Sequence, residues 1–324
     1  MAFKHFFFFT WVFLYSSSHH FFLVRGEILT SNERDVEYDR KQNISEGIFK
    51  RMSDVSSLNK NHELIGGEYL DANMVSQVAG YTDYFKNEDC FGVEAQLSIY
   101  GLPVAPHAVS LAFIRLANPI TFPFDTASSI EAGWHIHPQL YGDYDPHFYV
   151  YWMNNGFRNL GCYNLQCPGF VRHPQSRYIP GAKIWPLSKY GGAQWYIDLK
   201  LFKDSTTGDW WLYEGSNNYQ NPVGYFSNDI FVNFNNVTYL FIGGGVSYPK
   251  SSKAAPMGSG HWHYEGDKKA AELTRVKLIN SAGNAFAPDQ FSLRSYVTAP
   301  CYGVTALNYH DYGSQFYYGG PGGC

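Results

Sequence analysis

In Gln194-Trp-Tyr-Ile-Asp-Leu-Lys-Leu-Phe202, Ile197, Leu199 and Leu201 recur at every second position with Asp198 and Lys200 between them. That is the period of a strand with one buried face. Lys203 to Asp209 (KDSTTGD) is built of turn formers and runs into Trp210, so the flanking runs read as a β-hairpin. His147-Phe-Tyr-Val-Tyr-Trp152 repeats the alternation. Further strands are expected over 94–100, 109–116, 129–137, 230–234, 238–242 and 275–279. About ten short strands separated by Gly, Pro and Asn turns predict an all-β antiparallel sandwich. Only Gly266 to Leu273 (GDKKAAEL) has a helical cast, and the tail from Gly313 to Cys324 is ordered only if Cys324 ties it down.

The 324 residues allow two domains or one large β domain. Charged residues are 16% and aromatics 18%, which excludes a coiled coil, a charge-laced bundle and a disordered charged tail. The net charge of −4 supplies no basic footprint, so no nucleic-acid partner is expected.

The chain begins Met1-Ala-Phe-Lys4 and continues with an apolar run from Phe6 to Tyr15. A run of roughly ten residues is a secretory leader rather than the ~20-residue span of a bilayer, so 1–26 is expected to be removed. No other stretch suits a membrane. From 27 to 80 charges gather and periodicity is lost, as in a pro-segment or linker, and the domain is expected to occupy 81–324. Secretion suits the five cysteines: bridges Cys162 to Cys167 and Cys301 to Cys324 would leave Cys90 over. Asn43-Ile-Ser and Asn236-Val-Thr are glycosylation sequons.

There is no phosphate loop, dinucleotide fingerprint, nucleophile elbow or zinc helix in the sequence. Two constellations remain. Trp134-His-Ile-His137 and His261-Trp-His263 each set two imidazoles on one side of an extended strand, with Glu265 following the second pair, as a strand-borne metal site requires. Glu131, inside the apolar run Ser129-Ile-Glu-Ala-Gly-Trp134, is a carboxylate whose burial would raise its pKa into the range of an acid or base.

Seven runs carry a resemblance: Ile130-Glu-Ala-Gly-Trp134, Leu140-Tyr-Gly-Asp143, Tyr151-Trp152, Gly161 to Val171 (GCYNLQCPGFV), Asp209-Trp-Trp-Leu212, Val223-Gly-Tyr225 and Met257-Gly-Ser-Gly-His261. In this order, over roughly 81–301, the chain resembles the neprosin family of plant secreted proteins, and the cysteine pairs sit as they do there. The resemblance implies a β-sandwich glutamic endopeptidase that cuts after proline at acidic pH, with proline-containing peptides or proteins as partners and no cofactor. In such a site two carboxyls face one another, one activating water and the other supporting the oxyanion or leaving amine.

Glu131 falls on the family's first glutamate. The second belongs to Trp-Gly-Gly-Glu-Val, and the matching stretch here is Ile242-Gly-Gly-Gly-Val246, which puts Gly245 where the second carboxylate should be. No Asp or Glu occurs between Ile230 and Tyr264, and the nearest acids are Asp229 and Glu265. Losing a general acid or base costs about 10²–10⁴-fold in rate. Three readings follow: an impaired endopeptidase using Glu131, a non-catalytic binder of peptide or wall protein, and a metal protein using His135, His137, His261 and His263.

Overall fold

The computed structural model of the chain describes residues 73–85, 90–118, 128–154, 161–215, 221–231, 234–288 and 293–324, with the backbone of 23–24 and 27–28. It divides into two units, Met1–Asn43 and Ile44–Cys324. The first is described only as an antiparallel pair, β1 (Leu23–Val24) with β2 (Glu27–Ile28). The expected leader, most of 27–80 and the sequon at Asn43 lie outside the described residues.

The second unit is a sandwich of two antiparallel sheets. One contains β3 (Met74–Tyr84), β5 (Val109–Asn118), β6 (Ser128–Ile136), β7 (His147–Met153), β8 (Cys162–Tyr163), β13 (Tyr239–Pro249) and β16 (Arg294–Val297), in the order β16-β3-β13-β5-β6-β7-β8. The other contains β4 (Gly92–Ser98), β9 (Phe170–Arg172), β10 (Tyr196–Lys203), β11 (Trp210–Glu214), β12 (Asn221–Phe226), β14 (Ala271–Ile279), β17 (Gly303–Val304) and β19 (Gly313–Gly319). Its order is β17-β19-β14-β4-β10-β11-β12-β9, with β15 (Ala285–Phe286) beside β14 and β18 (Asn308–His310) beside β19.

The expected hairpin is β10 with β11, in which Leu201 faces Leu212. Its turn is held by the Asp204 carboxylate, which accepts from the N–H groups of Thr206 at 2.8 Å and Thr207 at 3.0 Å. Alternation then decides which face each side chain takes. Ile130, Ala132, Trp134 and Ile136 of β6 point between the sheets and meet Val93, Leu97, Leu199, Leu201 and Phe316 from the facing one. The Trp134 indole N–H donates across the gap to the Ser98 carbonyl at 2.9 Å, so the largest core side chain leaves no orphan donor.

Three expectations need correction. No strand is expected before 94, yet β3 runs from Met74 to Tyr84 and pairs with β13 along its whole length, so the compositional break at 81 falls inside it. Of the expected 230–234 strand, the described residues Ile230, Phe231 and Phe234 are not in a strand: Asn228–Ile230 is a single 3₁₀ turn, set by the Asp209 carboxylate accepting from the Asn228 N–H at 2.9 Å. GDKKAAEL forms no helix, because the chain turns at Lys268 (φ 59°) and enters β14 at Ala271. The tail, expected to be ordered if Cys324 ties it down, is so tied by Cys301–Cys324 and forms strand β19, with Phe316 and Tyr318 fully buried.

Both expected disulfides, Cys162–Cys167 and Cys301–Cys324, are formed. Cys90 is free and buried, its thiol pushed up to about 12 by burial.

Candidate active site on the seven-stranded sheet

The residues of β6 that do not point into the sandwich, Glu131, Gly133 and His135, face outward. A second apolar cluster lies on that face: Val78, Leu111, Phe113, Tyr149, Tyr151, Met153 and Phe241. Rows across the sheet follow from the register. The Glu131 row runs Thr82, Phe241, Arg115, Glu131, Tyr151. The next runs Gly80, Gly243, Phe113, Gly133, Tyr149, and the third runs Val78, Gly245, Leu111, His135, His147.

Glu131 is 3% exposed and fully engaged. Its Oε1 accepts from Arg115 Nε at 2.7 Å and lies 2.5 Å from Arg115 Nη2, and its Oε2 accepts from the Tyr149 hydroxyl at 3.1 Å. Burial pushes the carboxyl pKa up, and the guanidinium and the two hydrogen bonds pull against it. For Arg115 burial opposes the charge, but the neighbouring carboxylate outweighs this and leaves the guanidinium raised. The pair is therefore an ion pair in a dry setting, and removing either partner would strand the other.

Gly245 shares this face but does not touch Glu131. The two lie two strands and four residues apart, or roughly 16 Å between α-carbons at ordinary strand spacing. A carboxyl at 245 would not hydrogen-bond Glu131 directly, and a bound chain would have to lie between them. The intervening row is where such a chain would pass, because Gly243 and Gly133 lift no side chain from the sheet. At those two positions glycine is required: a Cβ would sit 2.4 Å from the Ala79 carbonyl oxygen at Gly243 and 2.0 Å from the Ala112 carbonyl oxygen at Gly133.

At Gly245 glycine is not required. A Cβ there would meet only side-chain atoms, Leu111 Cδ2 at 3.1 Å and Phe113 Cε1 at 3.3 Å. The position borders a shallow hollow lined by Ser76, Val78, Leu111 and Phe113.

The first histidine pair belongs to the same face. His135 stacks on Tyr149, with ring centroids 4.1 Å apart and planes 9° apart, and its Nε2 lies 2.7 Å from the Tyr141 hydroxyl. The network fixes its proton. The Val150 N–H donates to Asn164 Oδ1, so Asn164 Nδ2 donates to the Tyr141 oxygen and the Tyr141 hydroxyl donates its one hydrogen bond to His135 Nε2. His135 is thus a neutral imidazole carrying its hydrogen on Nδ1, in line with a pKa driven well below 6.5, first by burial and then by His137 and His147. His137 ends β6 and caps the short helix α1 (Pro138–Tyr141), where its Nδ1 accepts from the Leu140 N–H at 3.2 Å.

The metal reading is overturned. His261 and His263 are not on a strand: they approach and enter a 3₁₀ turn, His263–Glu265, in which Glu265 Oε1 accepts from the Trp262 N–H at 3.0 Å. His261 instead stacks on Tyr190, whose hydroxyl donates to Glu265. Among the described residues no group of three or more His, Cys, Asp or Glu could hold a metal ion. Asp229, in the turn between β12 and β13, and Glu265, in the loop between β13 and β14, lie on connections between the two sheets and not on the strands that carry Glu131.

Arg115 and Tyr149 were not singled out in the sequence. Their signal was there: one arginine in the apolar run Val109–Asn118 and one glutamate in the neighbouring apolar run are each tolerable in a sheet only if they meet.

Crystal structures of scytalido-glutamic peptidase, one with a peptide-based transition-state analog and one with a transition-state analog inhibitor, share 10% and 11% identity with the chain, each at a TM-score of 0.40. Both alignments cover 76% of this chain and 99% of the peptidase. The Neprosin family model matches residues 106–321, the greater part of both sheets and every residue of the Glu131 network, and the chain belongs to the Neprosin family.

Proposed function

We propose that this chain recognises proline-containing peptides on the outer face of the seven-stranded sheet and hydrolyses them far more slowly than a relative with two carboxyls on that face. One observation carries the reading. Among the described residues Glu131 is the one acidic side chain the strands present there, and both its oxygens are occupied by Arg115 and Tyr149. A general base must draw a proton from water, and the guanidinium that holds this carboxylate lowers its basicity; a general acid needs a proton that a guanidinium at this distance discourages. Gly245 supplies neither, although no backbone atom is among the nearest neighbours a Cβ there would meet, only side chains that must give by a few tenths of an ångström. The aromatic walls, Phe113, Tyr149, Tyr151 and Phe241, suit proline rings and extended peptide.

The leader 1–26, the sequons Asn43 and Asn236, and two disulfides are coherent with a secreted glycoprotein. A second reading, a competent glutamic endopeptidase, has one observation in its favour: burial raises the Glu131 pKa, as an acid catalyst requires.

Incubation of the mature protein with a proline-rich peptide at acidic pH separates the two. The expected outcome is peptide binding by calorimetry with little turnover, and turnover gained in a Gly245→Glu variant. Strong cleavage by the wild type that disappears in Glu131→Gln would establish the endopeptidase instead.

A further inference from the structure

The ten-stranded sheet carries a cleft on its own outer face, away from Glu131. About 360 Å³ of space is bounded by Glu94, Gln96, Asp198, Arg275, Lys277 and Tyr312. The feature that shapes it is a bulge in β14. Pairing with β19 slips between Leu273 and Val276, and pairing with β4 slips between Thr274 and Lys277.

Arg275 sits in that bulge at φ 53°, a left-handed conformation an arginine adopts only at a cost. The bulge also depends on Gly313 of β19, where a Cβ would lie 2.7 Å from the Arg275 carbonyl carbon. Bulges of this kind turn a side chain out of its strand's alternation. Here the side chain so turned is a half-buried guanidinium with no hydrogen bond or ion pair among the described residues.

The other charges in the cleft are differently placed. Lys277 Nζ lies 3.5 Å from Glu94 Oε1, so those two offset one another. Asp198 stands on β10, two strands from β14 across β4, or roughly 10 Å between strand axes. A free cation and an anion at that span fit a dipolar ligand a few residues long.

We propose that this cleft binds the C-terminal carboxylate of a short peptide. The Arg275 fork takes the carboxylate, and Asp198 takes the N–H or ammonium groups at the other end. A planar guanidinium is the group best matched to a carboxylate, and a charge-assisted pair sets both affinity and orientation. The proposal stands independently of any activity at Glu131.

Calorimetric titration of the full chain with trialanine tests it, beside trialanine amide and digalacturonate. Arg275→Asn is the informative variant, because asparagine tolerates the left-handed conformation while the guanidinium is removed. Its thermal midpoint should stay within a few degrees of wild type. Binding of the free acid, weakened about tenfold or more by amidation and by Arg275→Asn and partly restored in Arg275→Lys, is the expected result. Equal affinity for acid and amide, indifference to Arg275→Asn, no binding at millimolar peptide, or binding of digalacturonate in place of the peptide would each overturn it.

Discussion

Three glycines on one sheet face show how differently the same residue can be constrained. Gly243 and Gly133 stand where a Cβ would strike the neighbouring strand's backbone, whereas a Cβ at Gly245 would meet only the flexible ends of Leu111 and Phe113. Gly243→Ala is expected to cost about 3 kcal/mol, since a backbone oxygen cannot yield. Gly245→Ala should stay within about 1 kcal/mol of wild type in either direction, because it gains from a stiffer unfolded chain what it loses in close contacts. Urea unfolding of the two variants checks this, and equal large losses would show that Gly245 is structural after all. The contrast could not be read from Ile242-Gly-Gly-Gly-Val246, in which the glycines are indistinguishable; the pairing of β13 with β3 and β5 tells them apart.

Individual strands were legible in proportion to how well they alternate. β10, β7 and β6 declare themselves because one face is apolar and packed while the other carries Asp198, His147 or Glu131. β3 was missed because Val75, Ser76 and Gln77 are an edge-like mixture that only its neighbours hold flat. β19 was hidden by its glycines, although Phe316 and Tyr318 alternate with Gln315 and Tyr317. Tertiary pairing overrode a composition that looks like a loose tail. Phe316, fully buried and in edge contact with Tyr81 at 4.8 Å, joins β19 to the opposite sheet. Phe316→Ala should therefore cost about 3–5 kcal/mol, measurable by thermal or denaturant unfolding. A loss under about 1 kcal/mol would mean that the tail is an accessory.

For the molecule as a whole, pH enters through groups that pull in opposite directions. His135, His137 and His263 have pKa values lowered by burial, so below 6.5 the unfolded chain binds protons that the folded chain refuses and stability falls. Glu131, Glu214 and Glu272 have pKa values raised by burial, so the folded chain binds protons first and acidification towards 4.5 favours it. A single variant isolates one side of this balance. His135→Gln should be less stable than wild type at pH 7, and the gap should narrow by at most about 1.4 kcal/mol per pH unit below 6.5. A gap that stays constant between pH 7 and 5 would mean that His135 takes up a proton in the folded state.

The position of β19 also ties folding to the order of synthesis. β19 comes late in the sequence yet lies between β17 and β14, and Cys301–Cys324 closes around it. Until Gly313–Gly319 has left the ribosome, the ten-stranded sheet lacks an interior member and the core lacks Phe316 and Tyr318. A chain cut before β19 would therefore have no finished fold rather than be a smaller working protein.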